Sequence, residues 1–208
     1  MTASRWRPLL VAAGVLSVIG GGTHPSAPTD LSFNDNLAVM MEQGAWVPSH
    51  LLLAAGYALL FAGLFVVRRE GAWPIGSRLL TFAVAVAALN LVEMLVHTAA
   101  FVDRQELAAD ESAPVAFTHL GLAAVAYPLL GIAVVLLALQ LARVTWLRAL
   151  AVVGVIGGAA NALAMILAIT TGGNDFDFFF PIGAIATAVW LVGVSAVGVD
   201  RSSAVPAT

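Results

Sequence analysis

The sequence predicts an all-α polytopic membrane protein, a single domain over residues 1–208 built as a bundle of six transmembrane helices. Three observations carry this. First, 61% of the 208 residues are hydrophobic and 10% are charged, with a mean hydropathy of +0.96. Soluble domains run nearer half apolar with about a quarter charged. Such a chain cannot cover its apolar surface with polar groups, so lipid is its expected solvent. Second, the apolar residues fall into six runs. Third, the arginines concentrate in alternate links between those runs.

A span of about 30 Å of hydrocarbon needs about 20 helical residues. The runs lie at about 8–22, 47–67, 79–102, 115–139, 149–171 and 181–199. The first is short, and Arg5 and Arg7 before it also fit the charged start of a secretory signal. The expectation here is a retained helix. The N-terminal segment and the links after the second, fourth and sixth runs hold Arg5, Arg7, Arg68, Arg69, Arg78, Arg143, Arg148 and Arg201. The other links hold only Arg104 against Asp30, Asp35, Glu42, Asp103, Glu106, Asp110, Glu111, Asp175 and Asp177. The positive-inside rule therefore predicts cytoplasmic termini and an acidic outer face. Trp46, Trp73 and Trp146 fall at predicted helix ends, where interfacial tryptophans are expected.

Composition also excludes. There is no cysteine, so disulfides, thiolate metal sites, iron–sulfur clusters and cysteine nucleophiles are ruled out. The net charge of −3 argues against nucleic acid as a partner. The expected partners are the lipid bilayer and a membrane redox or other membrane protein.

An internal repeat organises the four histidines. The second helix opens Ser49-His50-Leu51-Leu52-Leu53-Ala54-Ala55, with Tyr57 two turns inward. The fourth opens Thr118-His119-Leu120-Gly121-Leu122-Ala123-Ala124, with Tyr127 at nearly the same depth. His24 and His97 sit near the outer ends of the preceding helices, beside Thr23 and Thr98. The pattern predicts a duplicated hairpin with one histidine per helix, plus a third hairpin packed against it. All four histidines fall on the outer side.

Asn90, Glu93 and His97 follow a helical i, i+3, i+7 spacing, so one stripe of the third helix carries an amide, a carboxyl and an imidazole. Glu93 lies about 6 Å deeper than His97. A bare carboxylate at that depth costs several kcal/mol, so it is expected to be protonated, paired or metal-bound.

Three functions fit these residues. The favoured one is a membrane protein binding haem b for electron transfer, with His50 and His119 as axial ligands facing each other across the repeat axis. His97, Tyr57 and Tyr127 would line that site, and Glu93 would tune the cofactor or relay a proton. The second is a Zn- or Fe-dependent membrane hydrolase with His24, His50, His97 and His119 as the metal ligands and Glu93 as catalytic base. The third is a non-enzymatic accessory subunit or a small transporter.

The first two helices carry a further pattern: His24-Pro25, an acidic and polar loop, then Gly44-Ala45-Trp46 before the next helix. This resembles small six-helix membrane proteins of unknown function from actinobacteria and archaea. The resemblance implies the six-helix count, and no activity. Together with the Ala/Val richness and the missing lysine, it implies the plasma membrane of a high-GC bacterium or an archaeon.

Overall fold

The computed structural model describes residues 4–28, 30–143, 147–171 and 178–199. The elements, in order, are α1 (Trp6–Gly22), α2 (Phe33–Glu42), α3 (Trp46–Glu70), α4 (Ser77–Ala99), a 3-10 turn (Ala100–Asp103), α5 (Arg104–Ala108), α6 (Pro114–Leu141), α7 (Arg148–Thr171) and α8 (Phe179–Val197). Among the described residues there is no strand. Five stretches, on α3, α4 with the following turns, α6, α7 and α8, are long and apolar enough to cross a membrane. The chain thus has the build of a multi-pass membrane protein. α1 is apolar but has 17 residues and falls short of that length.

The ends of the long helices are written locally. α3 stops at Gly71, whose φ of 58° is the left-handed conformation that glycine adopts without strain, and Arg68 and Arg69 face the helix C-terminal dipole. α6 starts with Pro114 in its first turn, where a missing N–H costs nothing. The Asp103 carboxylate accepts from the Val115 and Ala116 amides at 2.5 and 3.0 Å, capping orphan donors that buried helix starts otherwise leave.

The six longer helices form a closed ring. Each packs on its neighbours in chain order, α1 on α3, α3 on α4, α4 on α6, α6 on α7 and α7 on α8, and α1 returns to α8. This differs from the expected arrangement, in which the third hairpin packs against a four-helix core. The physical reason is small-residue contact. Gly14 of α1 lies against the Ala188 backbone of α8, and Gly131 of α6 lies against Gly158 of α7. Without side chains between them these backbones approach closely, so van der Waals packing can hold helices together in lipid. Leu60, Leu64, Leu130, Leu137 and Leu191 belong to the buried core. The outer faces carry Leu51, Val92, Leu95, Val125, Val152, Ile185 and Val189, each about half exposed, as suits hydrocarbon solvent.

The two ends of the ring differ. At one, Trp6 and Trp190 pack edge-on against Trp73 with centroids 5.7 and 6.3 Å away. All three are buried. At the other, α2, the 3-10 turn and α5 form a cap with its own core of Leu37, Met41, Trp46, Ala100, Leu107, Ala113 and Ala116. Trp46 and Trp73, expected at the interface, are therefore inside the protein. An indole at a helix end can turn inward where the neighbouring link folds back over it. Trp146, Asp175, Asp177 and Arg201 lie outside the described residues.

A side chain at Gly131 would collide with the Gly158 carbonyl. Gly131→Val should therefore destabilise the protein by about 1–3 kcal/mol through overpacking. Gly21→Ala, where a new methyl meets nothing within 4 Å, should leave stability nearly unchanged. Thermal unfolding in detergent checks both, and equal midpoints would count against the α6–α7 contact.

Candidate functional site: a histidine cluster beneath the cap

The links between helices decide which residues meet at the capped end. His24 follows the end of α1, His50 lies in the first turns of α3, His97 in the last turn of α4 and His119 in the first turns of α6. Antiparallel neighbours therefore bring all four to one level of the ring. His50 and Glu93 are fully buried, His119 is 5% exposed, and His24 and His97 are half-buried.

The rings pack on one another. His97 and His119 stack with centroids 3.6 Å apart, His50 and His97 lie 4.2 Å apart, and His24 lies 4.8 Å from His50. Trp46 walls the cluster, 4.2 Å from His50, 5.2 Å from His97 and 5.8 Å from His24.

The hydrogen bonds orient each imidazole. His24 Nδ1 donates to its neighbour Pro25's carbonyl at 2.7 Å, and His50 Nδ1 donates to the Trp46 carbonyl at 2.6 Å. His119 Nδ1 donates to Glu93 Oε1 at 2.7 Å. His97 Nδ1 lies 3.5 Å from that same oxygen. All four Nδ1 atoms thus face an oxygen. In His24 and His50, neutral imidazoles whose Nδ1 carries the hydrogen, Nε2 is left with a lone pair. Burial holds His24 below the ordinary imidazole value, and the Pro25 bond offsets only part of that.

Two triads result. One ring nitrogen from each of His24, His50 and His97 lies within 4.8 Å of the others, as do one ligand atom each from Glu93, His97 and His119. His50 Nε2 and His97 Nε2 are 3.1 Å apart. Neutral imidazoles and a carboxylate are donors for borderline transition metals such as zinc or iron.

The other predicted site residues lie deeper. Tyr57 and Tyr127 lie near Glu93, and the Tyr127 hydroxyl is a donor beside its carboxylate. Tyr57 also lines a cavity of about 60 Å³ with Ser17, Asn161 and Thr187. Asn90 donates to the Val86 carbonyl of its own helix and across to Ala126 of α6. Asn161 pairs with Thr187 of α8. His50 and His119 do not face each other as the repeat suggested; His97 stands between them, hydrogen-bonded to one and stacked on the other.

Two parts of the site were missed in the sequence. Trp46 stood only as an interfacial residue. The cap helix α2 falls in the acidic and polar link between the first two runs, although Ser32-x-x-Asp35 ahead of Leu37 and Met41 is a capping pattern that marks a helix start. Ser32 does cap α2, accepting from the Asp35 amide at 3.2 Å.

The chain matches no protein-family model, no curated protein and no solved structure.

Trp46 links cap and cluster, so Trp46→Ala should cost about 3–5 kcal/mol, the usual range for a large buried aromatic. Faster amide exchange over residues 33–42 in that variant would show the cap loosening. Unchanged exchange and unfolding would contradict the linking role.

Proposed function

We propose that this protein is a six-span membrane protein, with both termini in the cytoplasm, that holds a zinc or iron ion on His24, His50 and His97 at the outer end of the ring. The observation that carries the reading is the set of oxygens facing the four Nδ1 atoms. Metal-ligating histidines almost always hand their second nitrogen to a carbonyl or carboxylate, which sets the tautomer and the ring orientation. Here two carbonyls orient His24 and His50, and Glu93 orients His119, with His97 Nδ1 facing the same carboxylate oxygen at 3.5 Å.

This arrangement supports a single ion better than haem b. Bis-histidine ligation needs two imidazoles on opposite sides of a flat macrocycle. The neighbouring rings of His97 and His119 are stacked at 3.6 Å instead. His24, His50 and His97 would hold the ion, which would supply Lewis-acid chemistry for hydrolysis. Trp46 shields one side of the cluster and Glu93 stands as a buried proton acceptor. Leu51 and Phe117, beside His50 and near His119, are exposed apolar residues. These features favour hydrolysis of a lipid-like ester or amide as the reaction class.

The sixth span is α1. At 1.5 Å per residue it reaches about 25 Å, close to the hydrocarbon thickness. Its packing on both α3 and α8 supports membership of the same layer.

Protein purified in detergent and equilibrated with Zn²⁺ should retain metal, and His24→Ala and His50→Ala should each lower the content by one ion per chain. A Soret band lost in His50→Ala or His119→Ala would put haem in its place. Neither metal nor haem would favour the accessory-subunit reading. For topology, a cysteine introduced at Glu106 should label from outside intact cells and one at Gly71 should not; the reverse would overturn the orientation.

A further inference from the structure

The His24–His50–His97 triad uses one side of His97, and the other side is chemically incomplete. His97 Nε2 lies 3.1 Å from His50 Nε2, and its Nδ1 lies 3.5 Å from Glu93 Oε1. His50 already donates through Nδ1 to the Trp46 carbonyl, so its neutral ring presents a lone pair at Nε2. The Glu93 oxygen presents lone pairs too. His97 therefore stands between two acceptors, and a neutral imidazole carries only one N–H. Whichever nitrogen holds the hydrogen, the other meets a neighbour's lone pair with its own.

A single ion in the first triad resolves only the Nε2 side. On the other side, His97 Nδ1 is buried with no hydrogen-bond partner, and Glu93 Oε2 makes no well-formed hydrogen bond, with the Tyr127 hydroxyl as the donor near the carboxylate. Glu93 itself is 0% exposed, and a buried carboxylate with so few donors is expensive in an apolar interior. A carboxylate oxygen and one nitrogen each from His97 and His119 stand within 4.8 Å of one another at this point.

We propose that Glu93, His97 and His119 take a second divalent transition-metal ion, so that His97 bridges two ions as an imidazolate. Its Nε2 serves the ion on His24 and His50, and its Nδ1 serves the ion on Glu93 and His119. Two nitrogens and one carboxylate oxygen suit zinc or copper(II) rather than magnesium or calcium, which take oxygen. The Glu93 carboxylate and the imidazolate supply two negative charges against the second dication. The one proton displaced outright, from the His97 ring, leaves to water, while His119 shifts its hydrogen from Nδ1 to Nε2 and stays a neutral ligand. The bridge explains why four histidines cluster where one ion needs three.

This inference rests on the first metal site but fails separately from it. Metal-free protein is loaded with Zn²⁺ alone, passed through gel filtration and assayed for zinc per chain. The expected value is two, falling to one in Glu93→Gln and in His119→Ala. One zinc in the unaltered protein overturns the second site and leaves the first; none overturns both. Loading with Cu²⁺ alone tests the bridge without any substitution. Two coppers joined by an imidazolate should give a spin-coupled electron paramagnetic resonance spectrum with a half-field line. Two coppers with independent spectra would overturn the bridge.

Discussion

The Glu93 carboxylate is the constraint around which the capped end is arranged. It is fully buried in a ring whose outer faces are apolar, so water is not its partner and the protein must supply one. The supply comes from His119 of α6 at 2.7 Å, with His97 one turn above on its own helix. That contact draws α4 to α6. One turn deeper, Asn90 repeats the link by donating to the Ala126 carbonyl of α6. The two polar contacts fix the register of α4 against α6, which apolar packing alone leaves loosely specified in a lipid environment.

The rest of the ring follows a division of labour between its ends. The capped end holds Glu93, Asn90 and the histidines, all sealed by Trp46 and the short helices above. The other end is closed by Trp6, Trp73 and Trp190. Between them the walls are mostly leucine, alanine and glycine, and the remaining polar groups pair locally, as Asn161 does with Thr187. The ionisable side chains of this cluster thus sit at one end, and the mostly apolar walls pack by shape.

How much of this is legible in the residues depends on the length of the signal. The five long spans were readable because each apolar run exceeds what chance supplies, and Glu93 was readable as an anomaly because a buried acid is rare. The i, i+3, i+7 stripe correctly put Asn90, Glu93 and His97 on one face of α4, where Asn90 and Glu93 are buried. Ring closure was not readable. These helices are apolar all round, so periodicity does not say which face meets which neighbour. The Gly14–Ala188 and Gly131–Gly158 contacts are visible only once the helices are placed. The α2 cap was partly readable from Ser32 and Asp35, yet its acidic composition matched the expectation of a solvated link.

The order of the histidines shows why a repeat was a poor guide to pairing. Duplication suggested that His50 and His119, equivalent in sequence, would face each other. Consecutive long helices are neighbours in the ring instead. α4 must then lie between α3 and α6, and whatever it carries at that depth lies between His50 and His119. His97 occupies that place, within reach of His50 through Nε2 and stacked on His119. The sequential ring thus turns a twofold pattern in the chain into a linear series, His24, His50, His97 and His119, ordered as the helices are. A linear series has interior members with two neighbours, and His97 is the one whose two nitrogens meet different groups. The proposed chemistry therefore follows from connectivity as much as from the identity of the residues.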